Sequence, residues 1–260
     1  MKIAITGSGG FLGNKIYSLL ISQNFKINKF KLKNSIDINN FLKEISTNKY
    51  DYIINCAASI NPKTKHEFFL NEILPKEIQN LTIKFSSILI HISSLNVLNK
   101  NLLDHYTKSK FKAENSLKKN NLILIRPSLI INETFQTSRN EFNKYIKLPI
   151  NNLPMIYPGN IYYPVDLNKL SMFIIEKLNN NNIKYLAFNI SGKEKYCLWD
   201  IFNQFCQYRN KKLIKINLEF LDTILPIFLK KYFKSNRTLQ NLLPISRYSD
   251  NFNDGDNVIL

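Results

Sequence analysis

Tyr106 and Lys110 stand four positions apart, and a serine pair, Ser93-Ser94, precedes them. A tyrosine hydroxyl ordinarily ionises near ~10 and is a poor base at neutral pH. A lysine ammonium close by stabilises the phenolate and lowers that value. A serine hydroxyl can donate a hydrogen bond to an oxygen on which charge develops. Together the three suit proton transfer at a carbonyl or alcohol oxygen, a step whose acid–base share is about 10²–10⁴-fold. Thirteen tyrosines and abundant lysine make such pairs common by composition alone. Position must therefore separate this pair from accident.

The elements around the pair supply that position. Ile88 to Ser93 reads as a buried strand with Ser93-Ser94 at its C-terminal end, the edge where open α/β sheets bind ligands. A helix is predicted from about Asp104 to Lys118, with Tyr106 and Lys110 on one face as i and i+4. His91 lies inside the strand, where a histidine is more often packed than catalytic. His105 flanks the helix start.

The chain opens with a second chemical signature. Lys2 to Thr6 is a short β-branched strand, and Gly7, Gly9, Gly10 and Gly13 follow, four of only seven glycines in 260 residues. Phe11, Leu12, Ile16, Leu19 and Leu20 then recur at helical spacing. Strand, glycine turn and helix in this order cradle a dinucleotide pyrophosphate: the glycines permit the turn and the close approach, and the helix N-terminus favours negative charge. A second strand is expected over about Lys26 to Lys31. Lys31 and Lys33 stand near its end, with no acid until Asp37. A cation there suits a 2′-phosphate, which favours NADP(H) and leaves NAD(H) open. Asp37-Ile38 could hold the adenine amino group, or Asp37 could cap the helix through Phe41 and Ile45. Asp51 to Asn55 reads as another buried strand, and Cys56-Ala57-Ala58 after it is small enough for a cofactor to pass over.

These elements imply an α/β fold with a doubly wound parallel sheet of the Rossmann kind and a small C-terminal substrate lobe. Residues 1–260 read as one unit, with 1–130 mainly the dinucleotide-binding core and 131–260 mainly the lobe with returning core elements. A helix is expected from Leu167 to Leu178, a polar linker at Asn179 to Asn182, a strand from Tyr185 to Ile190, and a helix from about Leu198 to Tyr208. The tail from Tyr248 is polar and expected to be loosely held.

Composition narrows the partners. Cys56, Cys197 and Cys206 are an odd count without paired ligand spacing, which suggests a reduced, cytoplasmic protein without a disulfide framework or metal site. No signal peptide is visible. The net charge of +17 is spread along the chain, and no nucleic-acid-binding signature accompanies it, so no specific nucleic-acid partner is expected. Residues 220–234 are apolar, then basic. Their length and Pro226 rule against a spanning helix. Docking on an anionic membrane surface and packing on the lobe both stay open, and the missing long amphipathic repeat favours packing.

In this order the motifs resemble the extended short-chain dehydrogenase/reductases of the NAD-dependent epimerase/dehydratase superfamily. The matching pieces are Thr6 to Gly13, Asp37-Ile38, Asn55-Cys56-Ala57-Ala58, Asn71, Ile92-Ser93-Ser94, Tyr106-Thr107-Lys108-Ser109-Lys110 with Ala113-Glu114, Arg126-Pro127-Ser128, Pro164-Val165-Asp166 and Phe188 to Gly192. The short length and the spacing from Asn71 to Ser94 are most similar to the dTDP-4-dehydrorhamnose reductase type. The resemblance implies a nucleotide-sugar substrate, Tyr106 as acid/base, and Lys110 tuning it and holding the nicotinamide ribose. It favours Ser94 over Ser93 as the substrate-orienting serine, since Val97 follows where the pattern has it. It puts Pro127-Ser128 near the nicotinamide and makes Asn71 a structural asparagine near the site. Two features depart from the pattern. Tyr106 comes only twelve positions after Ser94, a shorter loop than in the relatives, and Leu95-Asn96 replaces the acidic pair of the dehydratases. The second argues against dehydration and leaves sugar reduction, oxidation and epimerisation open, with a role in surface-polysaccharide synthesis by analogy. An oligomer is compatible with this reading. The alternative is a non-catalytic NADP-binding sensor or membrane-associated partner protein.

Overall fold

The computed structural model describes residues 1–99, 104–137, 147–149, 151–179, 183–217 and 255–260. The first half alternates strand and helix: β1 (Lys2–Thr6), α1 (Phe11–Ser22), β2 (Lys26–Phe30), α2 (Ser35–Thr47) and β3 (Tyr52–Asn55). A short helix α3 (Lys65–Phe68) runs through a π-helical turn (Phe69–Ile73) into α4 (Leu74–Lys84). Then come β4 (Ile88–Ile92), a 3₁₀ turn (Leu95–Leu98), α5 (His105–Ser116) and β5 (Leu122–Pro127). The second half holds β6 (Ile130–Ile131), β7 (Asn152–Tyr157), β8 (Ile161–Tyr162), β9 (Val165–Asp166), α6 (Leu167–Glu176) and β10 (Tyr185–Ser191). It continues with β11 (Tyr196–Cys197), α7 (Leu198–Gln207), β12 (Lys212–Asn217) and β13 (Asp256–Ile259).

Seven strands form one parallel sheet in the order β2-β1-β3-β4-β5-β10-β13. This is the doubly wound dinucleotide-binding order without its outermost strand, and the chain reverses direction across the sheet between β1 and β3. The central strands are apolar on both faces because both are covered. Ile3, Ile5, Ile54, Ile90, Ile123 and Ile125 face α1 and α6, where they meet Ile16, Leu20, Leu170 and Ile174. Ala4, Ile53, Leu89 and Leu124 face the other way, against Phe41 and Ile45 of α2 and Leu74 and Ile78 of α4. A third, separate apolar cluster joins Leu153, Met155 and Leu213 of the β7–β12 pair to Leu198, Phe202 and Phe205 of α7.

The expected helices and strands of residues 1–217 appear with their ends moved by a few residues, and residues 180–182 of the expected linker lie outside the described residues. Two expectations are corrected. The cap of α2 is Asn34, whose side chain accepts from Asp37 N at 2.9 Å, while the Asp37 carboxylate accepts from Lys33 N at 2.9 Å. The end of the tail is not loose. Asp256 to Ile259 pair with Phe188 to Ser191 as the seventh strand, and Leu260 N donates to Ser191 O at 3.0 Å. Residues 220–234, a membrane-docking candidate in the sequence, lie outside the described residues. Among the described residues no helix is long and apolar enough to cross a membrane, and no cluster of side chains could hold a metal ion.

Inside the sheet, one buried ion pair joins α5 to β5. Arg126 donates to Glu114 through Nη2 at 2.8 Å and Nε at 3.0 Å, and through Nη1 to Asn189 of β10 at 3.3 Å. Removing either partner would leave an uncompensated buried charge, at a cost of about 3–5 kcal/mol.

Candidate active site

The C-terminal edge of the sheet opens into a cleft of about 1140 Å³. The glycine turn and the start of α1 form one wall through Gly9, Gly10, Phe11, Leu12 and Gly13. Cys56 and Ala58 after β3, Ser93 and Ser94 after β4, and Pro127 at the end of β5 line its floor. Tyr106 and Lys110 line it from α5. The structure thus brings the glycine signature and the Ser-Tyr-Lys constellation into one space.

Not all the candidate residues reach that space. Gly7, Lys31, Asp37, Ile38, Ala57 and Asn71 do not line it. Gly7 lies beneath the turn, in the left-handed conformation at φ +66°, where a Cβ would stand 2.6 Å from the Cys56 carbonyl carbon. Gly13 has no more room, since its Cβ would fall 2.3 Å from Gly7 O. These clashes explain why β1, the turn and α1 can pack so closely. The Lys31 side chain runs past the turn, its Cε 3.6 Å from where a Gly9 Cβ would be. Ile38 is buried in the core. Ala57 N donates to Asn55 Oδ1 at 3.3 Å.

The amino end of α1 is left open. Gly10 supplies no side-chain cap and the first turn carries no acid. In contrast α2, α3, α5 and α6 are capped by Asn34, Thr64, Asp104 and Asp166. Uncapped N–H groups with the positive end of a helix dipole are an anion site, and here they border the cleft. The donor set and the Cβ-free turn fit a dinucleotide pyrophosphate.

Lys110 is buried, and its Nζ donates to Ile92 O at 2.8 Å. Desolvation lowers its pKa to about 8, with Glu114 and Cys56 pulling the other way. Tyr106, one turn earlier, is half-buried. Its backbone carbonyl accepts from Ser109 Oγ at 2.7 Å, and Ser109 Oγ accepts from Asn71 Nδ2 at 3.0 Å. Asn71 also pairs with both backbone groups of Ser59 at 2.8 Å. Asn71 sits in the π-helical turn, a feature frequent at functional sites. Its amide is spent on holding α5 and the loop after β3, so it shapes the cleft from behind. Ser94 Oγ accepts from Asn96 N at 3.3 Å and caps the 3₁₀ turn, leaving its proton to donate elsewhere.

Behind and around these residues the structure shows contacts that no sequence spacing announced. Thr6 Oγ1 donates to Asn55 Oδ1 at 2.7 Å, and Asn55 Nδ2 lies 3.2 Å from His91 Nδ1. The amide donates there, so the neutral ring carries its proton on Nε2. Burial, then the Lys110 charge, holds the His91 pKa well below the usual histidine value. His91 is a packed histidine below the cleft floor and does not line it. His105 is exposed and stacks edge-on against Phe68. Burial pushes the Cys56 thiol up to about 12, so it stays neutral at physiological pH. Lys63, His66 and Glu67 line the outer wall. Glu67 accepts from Lys63 N and Thr64 N, both at 2.9 Å, and these bonds hold its carboxyl down to about 2. Its capping box with Thr64 was readable as Thr-x-x-Glu. All three cysteines are free.

No family model matches the chain, and no curated protein sequence matches it. Solved structures do. A dTDP-4-dehydrorhamnose reductase from Clostridium acetobutylicum superposes with a TM-score of 0.66 at 20% identity, over 85% of each chain. A dTDP-4-dehydrorhamnose reductase from Bacillus anthracis, in complex with NADP, gives 0.66 at 18% identity, again over 85% of each chain. A dTDP-glucose 4,6-dehydratase from the same organism, in complex with NAD, gives 0.65 at 16% identity over 84% of each. At these identities the likeness is one of fold, a Rossmann-like α/β sheet with its helices.

Proposed function

We propose that the chain is an NADP(H)-dependent oxidoreductase or epimerase acting on a nucleotide-linked sugar. The observation that carries this reading is the single cleft in which the uncapped amino end of α1 meets Ser94, Tyr106 and Lys110. The structural relatives bound to NADP and NAD support the cofactor, and as a dTDP-4-dehydrorhamnose reductase and a dTDP-glucose dehydratase they support a sugar-nucleotide substrate. By analogy of fold, we propose that the activity supplies activated sugars for surface polysaccharide.

When bound, the nicotinamide supplies or accepts hydride at the sugar carbon. The chain's own residues do the rest. The open N–H groups of α1 hold the pyrophosphate, and Gly9, Gly10 and Gly13 allow its approach. Lys31, whose side chain runs beside Gly9, would supply a cation to a 2′-phosphate. The Ser94 hydroxyl donates to the substrate oxygen and orients it. Tyr106 gives its proton to that oxygen in reduction and takes it back in oxidation. The Lys110 ammonium stabilises the phenolate left behind. The missing acidic pair after Ser94 keeps the chemistry to hydride and proton exchange.

Titration with NADPH and NADH, followed by cofactor fluorescence against a panel of nucleotide-linked keto-sugars, tests the reading. Tyr106→Phe is expected to lose about 10²–10⁴-fold in turnover with NADPH affinity nearly unchanged. Near-normal turnover in that variant would sink the mechanism. Binding without oxidation across the whole panel would replace it with a non-catalytic sensor.

A further inference from the structure

Lys110 holds its charge against the fold around it. It is 1% exposed, and its Nζ donates to the uncharged carbonyl of Ile92 at 2.8 Å. A buried ammonium is stable only beside a counter-charge. Cys56 after β3 and His91 of β4 both bear on it, and both are neutral at physiological pH. Tyr106, one turn earlier on α5, is the group whose proton it serves. Among the described residues that leaves Glu114. It stands four positions beyond Lys110 on α5, so the two side chains share a face, and its side chain is 8% exposed. Its carboxylate favours the Lys110 ammonium against desolvation. Glu114 is itself held. Arg126 of β5 donates to it through Nη2 at 2.8 Å and Nε at 3.0 Å, and Asn189 accepts from the same guanidinium at 3.3 Å. Neither Glu114 nor Arg126 lines the cleft; both line a separate cavity of about 330 Å³.

We propose that Glu114 and Arg126 are positioning residues that act through Lys110: the carboxylate keeps the ammonium charged, and the guanidinium fixes that carboxylate and offsets part of its charge. The proposal rests on the oxidoreductase reading above and names the residues that tune its cation. Two demands meet at Lys110. It must stay protonated to stabilise the Tyr106 phenolate. Without a nearby anion, burial alone would remove the proton at a lower pH. Yet a bare carboxylate would neutralise the ammonium and turn its field away from the tyrosine. A carboxylate already engaged by Arg126 meets both demands. In a poorly polarisable interior its remaining field still reaches a side chain one helical turn away. The pair lines no part of the cleft, so its effect must appear in the titration of Lys110 and not in cofactor or substrate binding.

The test uses full-chain variants whose effects on charge and on stability run in opposite directions. Glu114→Met/Arg126→Met removes both charges and fills their space with apolar groups, an exchange that buried ion pairs commonly tolerate. Arg126→Lys keeps both charges and loses the two-pronged geometry. Glu114→Gln removes the carboxylate alone. The Lys110 titration is read in the ligand-free chain by NMR with isotope-labelled lysine, its signal assigned by its absence from Lys110→Met. Profiles of kcat/KM against pH follow, with NADPH and a panel of nucleotide-linked keto-sugars. The double variant should melt near the wild type, yet lose the Lys110 proton about one pH unit lower, and the alkaline limb of kcat/KM should move with it. Glu114→Gln should move the titration at least as far in the same direction. Arg126→Lys should melt about 3 °C or more lower and keep its titration close to the wild-type value of about 8. An unmoved titration in either variant that lacks the carboxylate would overturn the proposal and leave the enzyme reading standing. A titration that shifts in Arg126→Lys and not in the double variant would overturn it too, since the pair would then be structural only. Wild-type protein that binds NADPH but oxidises it with no sugar would overturn the enzyme reading, and with it the pair's part in proton transfer, whatever the titrations show.

Discussion

The ammonium of Lys110 donates to the carbonyl of Ile92 at 2.8 Å. Ile92 closes β4 immediately before Ser93 and Ser94, and Lys110 lies one turn beyond Tyr106 on α5. One hydrogen bond therefore sets the helix bearing the proton carrier against the strand end bearing the serines. It also holds the charge at the cleft while Lys110 itself stays buried.

That burial gives Lys110 a testable titration. Its pKa in the folded chain is about 8, below the ~10.4 of an unfolded lysine. Between those values the unfolded chain binds the proton and the native chain does not, so this group's contribution to stability rises with pH across that window. Below about 8 the cost of burying the charge is present in full. Activity should run the opposite way. The ammonium that stabilises the Tyr106 phenolate is lost as pH rises through about 8, so kcat/KM should fall there. Lys110→Met should flatten the stability change and abolish the alkaline limb along with most activity. A wild-type kcat/KM profile level from about pH 7 to 9.5 would contradict the assignment.

The Lys31 side chain passes the glycine turn at Gly9, which ties cofactor choice to one cation. Lys31→Asp is expected to weaken NADPH binding about 10-fold or more and to leave NADH binding equal or better, as the carboxylate replaces a phosphate partner by a ribose partner. Paired titrations with the two cofactors read this directly. Equal losses for both would mean that Lys31 contributes only general positive charge.

The glycines of the turn should differ in a defined order. Gly13→Ala puts a methyl 2.3 Å from a backbone oxygen, whereas Gly10→Ala puts one at 3.2 Å from the same atom. The first must displace α1 from β1 and should cost about 1–3 kcal/mol of stability together with cofactor binding. The second should fold nearly as well as the wild type and lose chiefly affinity. Denaturant midpoints and NADPH titrations on both variants separate the two. A Gly13→Ala protein as stable as Gly10→Ala would show that the turn can relax.

The part of the site legible in the sequence was the part governed by local rules. Gly7 to Gly13 announce a turn because their spacing has one geometric use. Tyr106 and Lys110 announce a shared face because i and i+4 always share one. The strands of the sheet interior were readable because apolar runs such as Ile88 to Ile92 have little else to do. What stayed hidden depends on contacts distant in sequence. The Thr6–Asn55–His91 chain joins three strands, and no spacing encodes which strands are neighbours. Asn34 and Asp37 both favour helix starts, so the choice of cap fell to backbone geometry. The last strand, Asp-Asn-Val-Ile, is too short and polar to carry a period of its own.

That last strand supplies a final test, because its effects should separate folding from catalysis. Asp256 to Ile259 pair with β10, and Val258 and Leu260 pack against the core shared by α1 and α6. Asn257 accepts from Asn189 Nδ2 at 3.2 Å, and Asn189 in turn accepts from Arg126, the partner of Glu114. Removing residues 256–260 would strip this edge from β10, expose apolar surface and loosen the support behind the buried ion pair. The expected loss is about 2–4 kcal/mol from the two half-buried side chains and their lost backbone pairing. The strand lies at the far edge of the sheet from β1 and β2, so NADPH affinity in the remaining folded protein should change little. Urea unfolding with and without saturating NADPH checks both halves of the statement. An unchanged midpoint would mean that the strand adds nothing to the sheet. A lost NADPH affinity at unchanged stability would instead put the C-terminus in the service of the cleft.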